Sequence, residues 1–361
     1  MITKFYYKIQ KGGSAHLLMI FEAFFYTIYN MTKIEAAIQE YADWCSAIGV
    51  DTLEKLRNVT ESGRIIPLIN LCEARQERKY AEIANQIYWK RDDCRIVMMS
   101  GPSSSGKTSS SLRIAQQCRV LGLTPKVIEL DNYFVDREKT PRTESGEYDF
   151  EALGAMDIAF LGEQLEALLR GEEIDLPRFD FVNGTRKFDG RKMKLVKGDI
   201  LFMEGIHALD PALTPTIDTA KFFKIYISAL SALSGGQEVH NSTTDKRLLR
   251  RIVRDNRTRG ICPEETIMRW PNVREGEFKY IFPYEENADV VFNSSTLYDL
   301  PVLKRYAQPL LEKIDPSSPA YDKAKSLMDF LSLIIALDDE QIAAIPPTSI
   351  MREFIGGQML Y

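Results

Sequence analysis

The spacing of apolar positions changes twice along this chain. Between residues 33 and 90 they recur at helical intervals, interrupted at Gly49 and at Glu61-Ser62-Gly63, which predicts a helical appendage over residues 31–92. Short β-branched and apolar runs then take over at residues 95–100 (RIVMMS), 126–130 (KVIEL), 199–204 (DILFME), 222–228 (FFKIYIS) and 289–293 (DVVFN). Helical patterns lie between most of them. Strand runs without strict alternation, separated by helices, predict a parallel sheet covered on both faces. The helical period returns from Ser318 and stops at Pro346-Pro347. The expected division is therefore an N-terminal stretch 1–30, the appendage 31–92, an α/β domain 93–315 and a helical extension 316–361 packed on it.

Residues 17–29 (LLMIFEAFFYTIY) form the most apolar stretch, but roughly a dozen residues with Glu22 among them fall short of the ~20 a spanning helix needs. No small-residue cleavage site follows, so a secretory leader is not indicated. Residues 1–30 read either as sequence upstream of a start at Met31 or as a genuine hydrophobic helix. Five cysteines without a Cys-x-x-Cys pair suggest neither a disulfide framework nor a zinc site, and point to a reduced, cytoplasmic setting. A formal charge of -5 argues against broad nucleic-acid binding, and no membrane partner is expected.

After the first central run comes GPSSSGKT, a complete G-x-x-x-x-G-K-[ST] at residues 101–108, followed by a helical pattern. In that context the glycines let backbone N–H groups turn toward phosphate oxygens, and the helix N-terminus adds its positive end. Lys107 is expected to reach the β and γ phosphates and Thr108 to hold Mg²⁺. The second run ends at Asp131, at the carboxyl edge of a parallel sheet, where it is either a base for an attacking hydroxyl or a turn-capping Asp. Glu204 ends another run and is placed to bind Mg²⁺ through water. Six arginines crowd residues 247–259; Arg247, Arg250, Arg251 and Arg254 share one helical face, opposite Leu248, Leu249, Ile252 and Val253. Such a face is a solvated or RNA-binding surface in isolation, and beside a phosphate loop it is the lid of a kinase.

Taken in order, GPSSSGKT, LDNYF, EYDFEAL, LPRFDFVNGTR, MEGIH, DKRLLRRIVRD with RTRG, and ADVVFNSS resemble the uridine kinase and phosphoribulokinase family of P-loop kinases. The closing SIMREFIGG is similar to the ending of larger bacterial and protist nucleoside kinases. That subgroup often carries a His-x-x-x-His pair near its N-terminus; the histidines here are His16, His207 and His240, so the pair is absent. The resemblance implies a P-loop NTPase three-layer sandwich with N- and C-terminal helical additions, using ATP and Mg²⁺. It implies Asp131 as general base, a donor cradle of Gly101, Ser103, Ser104, Ser105, Gly106, Lys107, Thr108 and Ser109 with Arg254, and Thr108 with Glu204 at the metal. Arg247, Arg250 and Arg251 fall in its substrate and lid region, Asp149 where family members hold ribose hydroxyls.

Two departures stand out. Uridine kinases typically read the pyrimidine with a tyrosine and a histidine at positions held here by Phe179 and Gly184, whereas Phe181 and Arg186 are retained. Residues 231–242 (SALSGGQEVHNS) also differ from the subgroup's usual connection, and their Gly-Gly suggests a flexible loop. Tyr133 and Phe181 are candidates to stack a base, or else core aromatics. Arg269 comes near the acceptor by alignment. The expected activity is phosphorylation of the sugar hydroxyl of a nucleoside; the alternatives are a kinase of a sugar phosphate or pantothenate-like alcohol, and a nucleotide-binding regulator with little turnover. The partner expected is a nucleoside-like small molecule, with homo-oligomers also compatible.

Overall fold

The computed structural model describes residues 31–143, 146–180, 183–233 and 242–360. The alternatives for residues 1–30, the stacking role of Phe181 and most of the 231–242 connection therefore lie outside the described residues.

Three helices open the described chain. In α1 (Lys33–Ala47) the Thr32 hydroxyl accepts from Glu35 N–H while the Glu35 carboxylate accepts from Thr32 N–H, a reciprocal cap that fixes the start. The chain breaks at Gly49, resumes in α2 (Leu53–Glu61) behind a Thr52 cap, turns at Ser62-Gly63 and runs into α3 (Ile65–Lys90). Next come β1 (Ile96–Ser100), α4 (Lys107–Val120), β2 (Thr124–Glu129), α5 (Ile158–Leu169), the pair β3 (Ile174–Asp180) and β4 (Thr185–Met193), β5 (Asp199–Glu204) and β6 (Phe222–Ser228). The chain continues as α6 (Ser242–Arg259), α7 (Pro263–Tyr280), β7 (Val290–Asn293), α8 (Asp299–Leu311), α9 (Tyr321–Ser332), α10 (Asp339–Ala343) and α11 (Met351–Ile355).

The five apolar runs are the five strands of one sheet, in the order β2-β5-β1-β6-β7 and parallel throughout. β1 is wholly buried, and its successive side chains enter different cores: Val97 and Met99 join the cluster built with α1, α3, α4, α6 and α8, whereas Ile96 and Met98 join the one beneath α5. A sheet with apolar layers on both faces is the three-layer arrangement of an α/β P-loop fold. The first cluster is continuous from Tyr41 and Ile69 through Phe223 and Phe292 to Leu327 and Phe354, so the N- and C-terminal helices share one core with the sheet.

Two features depart from the expectation. β3 and β4 form a separate antiparallel hairpin, its register shifted between Asp175 and Pro177. And the helical pattern does not stop at Pro346-Pro347, because α11 follows them.

Candidate active site

The sheet register brings the reactive side chains together. Glu129 and Met99 both pair with Glu204, so β1, β2 and β5 end at one level and hand over there to the P-loop, to Asp131 and to the Glu204 side chain. The P-loop leaves β1 at its carboxyl end. Ser104 takes φ 59°, a conformation costly for a residue with a side chain, and Gly106 takes φ 83° at the N-cap of α4. Such strain persists where surroundings impose it. A Cβ at Gly106 would lie 2.8 Å from Ile350 Cγ2, so glycine answers both to the turn and to the neighbour.

Around this loop the arginines act from beneath. Arg247 Nε donates to Ser103 O at 3.0 Å and Arg251 Nη1 to Ser103 Oγ at 2.9 Å. Arg250 is fully buried; it donates to Ser294 O at 3.1 Å and to Asp299 Oδ2 at 2.6 Å, and Ser294 Oγ in turn donates to Ser105 O at 2.5 Å. Arg247 and Arg250 therefore depart from the expected lid: with their donors held by loop carbonyls and buried carboxylates, they support the P-loop. Arg251 and Arg254 are half-buried and both pair with Asp255.

Above the loop, Lys107 Nζ donates to Gly101 O at 2.8 Å and Pro102 O at 3.2 Å, and Thr108 Oγ1 donates to Glu204 Oε1 at 2.9 Å. The crowded surroundings lower the Lys107 pKa, against which Glu204, Glu353 and Asp131 pull it back up. Burial raises the carboxyl of Glu204, partly offset by Lys107 and the Thr108 hydroxyl. Asp131 is reached by solvent, yet protein crowding raises its pKa as well, with Lys107 opposing and Glu129 adding. The hydroxyl of Thr108 and carboxylate of Glu204 are hard oxygen donors in contact, a pair suited to Mg²⁺ with waters completing the shell.

The remaining candidates divide. Asp149 accepts from Tyr280 OH at 2.9 Å, and Tyr280 stands edge-on to buried His207. Phe179 is buried edge-on to Phe134, and its N–H donates to Asn132 Oδ1. Gly184 has φ 68° at the hairpin turn, where a Cβ would meet the Arg137 side chain at 2.7 Å, so the space a larger residue would take is filled. Tyr133 is a core residue donating to Gln164 Oε1 at 2.8 Å, and the pairing of Arg186 with Asp157 at 2.9 Å and with Phe134 O ties the hairpin down. Arg269 is not drawn into the cluster: it lies on the exposed side of α7, paired with Glu265 one turn away.

Three acidic residues escaped the sequence reading. Glu277 accepts from Ser103 N–H at 3.1 Å, Glu353 accepts from Ser109, and Glu151 has its carboxyl raised by burial while Arg251 and Lys107 pull it down. An acidic residue in an amphipathic helix carries no mark of its partner; only the closing SIMREFIGG offered a signal, for Glu353. Among the described residues no cluster of His, Cys, Asp and Glu suits a metal, no helix is long and apolar enough to cross a membrane, and the five cysteines are free.

The profile of the phosphoribulokinase / uridine kinase family matches residues 96–301, from β1 into α8. A uridine kinase of Deinococcus deserti is 28% identical over 197 residues, covering 54% of this chain and 86% of its own length. One of Chloroflexus aggregans is 28% identical over 203 residues, covering 55% and 85%. A solved structure described as a possible uridine kinase from Bacillus stearothermophilus aligns over 60% of this chain and 98% of its own, at 19% identity and a TM-score of 0.38. With a family match across more than half of its length and the strand, P-loop and helix in their places, this chain belongs to the phosphoribulokinase and uridine kinase family and is a P-loop kinase.

Proposed function

We propose that the chain transfers the γ-phosphoryl group of ATP to the sugar hydroxyl of a nucleoside. The observation that carries this reading is the convergence of Asp131, Lys107, Thr108 and Glu204 at the carboxyl ends of β1, β2 and β5. A base, a phosphate-binding cation and a metal-binding oxygen pair at one cleft are what phosphoryl transfer to an alcohol requires, whereas a nucleotide switch needs no acceptor base.

The chain's own groups divide the work. P-loop amides and Lys107 hold the β and γ phosphates, a reorientation of the lysine amine from the loop carbonyls it now meets. Mg²⁺ between Thr108 and the outer-shell Glu204 would supply neutralisation of phosphate charge. Asp131 accepts the acceptor's hydroxyl proton as that oxygen bonds to the γ phosphorus and ADP departs with the bridging oxygen. A carboxylate whose proton affinity is raised by its surroundings is the better base for this step. On this reading Asp149, which accepts from Tyr280 OH, is the group that holds the sugar hydroxyls.

Phosphorylated product measured with Mg-ATP across nucleosides, sugar phosphates and pantothenate tests the reading, with Lys107→Ala as the control. Nucleosides are expected to be turned over and the Lys107 variant to be inert. Turnover confined to sugar phosphates or pantothenate would replace the acceptor, and ATP binding without turnover of any alcohol would replace the activity.

A further inference from the structure

The last residues of the described chain lie against the first turn of α4, the helix that follows the P-loop. Glu353 Oε2 accepts from the Ser109 hydroxyl at 2.5 Å and from Ser109 N–H at 3.4 Å, and Gln358 Nε2 donates to the same hydroxyl at 2.7 Å. The segment is held in place independently of that carboxylate. Arg257 donates to Glu353 O at 2.9 Å and Phe354 O at 3.0 Å, Arg113 donates to Thr348 O at 2.5 Å, and Ile350 packs on Gly106.

Ser109 comes directly after Thr108, and its N–H belongs to the set at the helix start that cradles the α and β phosphates of a nucleotide. A carboxylate and a phosphate ask for the same donors, and two anions on one N–H and hydroxyl repel each other. Glu353 also adds to the negative surroundings of Lys107, alongside Glu204 and Asp131. Resting on the nucleotide-binding reading of the P-loop, we propose that Glu353 stands in for the α-phosphate of the donor, and that residues 349–358 form one wall of the donor site. Nucleotide binding exchanges Glu353 for phosphate by a side-chain rotation, since the main-chain anchors through Arg257 and Arg113 do not involve the carboxylate. Gln358, a neutral donor beside Ser109, stays and turns its amide toward the phosphate.

Calorimetric titration of the full chain with ATP, ADP, AMP and adenosine, for wild type, Glu353→Gln and Glu353→Asp, tests this. Both variants are expected to bind ATP, ADP and AMP about 5- to 20-fold more tightly, because one loses the charge and the other the reach to Ser109, while adenosine is unchanged. Unchanged or weaker binding of all three phosphorylated ligands overturns the proposal and makes Glu353 a structural cap or a reader of the base. The thermal midpoint of each variant, measured in parallel, identifies a folding defect; should Glu353→Gln not fold, Glu353→Asp decides alone. Failure of the underlying reading looks different: wild type would then bind no nucleotide, or Lys107→Ala would bind ATP as well as wild type does.

Discussion

Arg247 on α6 and Glu277 on α7 form an ion pair enclosed on all sides, and both also grip one residue of the P-loop: Arg247 Nε donates to Ser103 O at 3.0 Å while Glu277 Oε1 accepts from Ser103 N–H at 3.1 Å. Arg274 Nη1 donates to the second Glu277 oxygen at 2.7 Å. Ser103 is thus fixed through the peptide units on both of its sides, by its N–H and by its carbonyl. A phosphate-binding loop gains from such fixation, because a backbone already held in its curled form needs no ordering when phosphate arrives.

Breaking this clamp from one side should be costly. Glu277→Gln leaves two guanidinium groups short of a buried counter-charge and is expected to lower unfolding free energy by about 3 kcal/mol and to weaken ATP binding. Replacing both partners, Arg247→Met with Glu277→Leu, removes the enclosed uncompensated charge, leaves only the solvent-reached Arg274 without its partner, and should recover much of that stability but not the ATP affinity. Urea unfolding beside ATP titration checks both. A double variant no more stable than Glu277→Gln would contradict the assignment of the loss to an orphaned buried charge.

For Asp131→Asn the shape is kept and the proton acceptor removed, so kcat should fall by roughly 10² to 10⁴ with ATP affinity close to wild type. The base must be ionised to act. Because crowding raises its pKa, the acid limb of the wild-type kcat profile should lie above the ordinary aspartate range and should vanish in the variant. Loss of ATP binding with an undiminished rate per bound complex would mark Asp131 as structural instead.

His207 gives the fold a pH dependence of predictable sign. Burial pushes its pKa down to about 4, against smaller upward pulls from Asp210 and the Glu151 backbone. The unfolded chain takes up the proton near pH 6.5, and the folded protein refuses it until about pH 4, so the neutral ring's stability is fully present above 6.5 and is lost as pH falls between these values. The loss amounts to roughly 3 kcal/mol. Buried carboxyls with raised values, Glu204 among them, work in the opposite direction, so the comparison is with His207→Gln: the wild-type excess stability should shrink on acidification through that window. A difference constant from pH 7 to 4 would refute it.

The sheet and the gathering of Lys107, Thr108 and Glu204 at its carboxyl edge were legible because strands buried on both faces are continuous apolar runs, and because the P-loop spacing follows from phosphate geometry. The helix breaks at Gly49 and Ser62-Gly63 were legible for the same reason, since turns demand particular residues. The β3–β4 hairpin was not. β4 is almost entirely exposed and more than half charged, and Pro177 interrupts β3, so neither strand carries a periodic apolar signal. The arginine cluster was visible as a helix face, but its direction was not: Arg247 and Arg250 are drawn under the P-loop by Glu277 and Asp299, which lie 30 and 49 residues further along the chain. Charge partners at that separation leave no trace in local spacing.

Base selectivity is where the hairpin bears on function. A pocket that hydrogen-bonds a particular group rejects ligands lacking it strongly, because buried donors are left unpaired, whereas an apolar wall discriminates by only about 1 to 3 kcal/mol. Phe179 presents a ring packed edge-on to Phe134, and Gly184 presents backbone with the Arg137 side chain filling the volume a larger residue would need. Neither position supplies the polar side chain of a dedicated pyrimidine reader, while Asp149, held by Tyr280, is on the proposed reading the acceptor for the sugar hydroxyls. Sugar recognition should therefore outweigh base recognition, with kcat/KM varying less than about 100-fold among uridine, cytidine and at least one purine nucleoside. Arg269, exposed and paired with Glu265, should contribute little, so Arg269→Ala should leave that ranking as it is. Steady-state kinetics on a nucleoside panel, for wild type and Arg269→Ala, decides the matter: a uridine preference beyond about 10⁴-fold requires polar readers absent from these positions, and would sink the apolar-wall account.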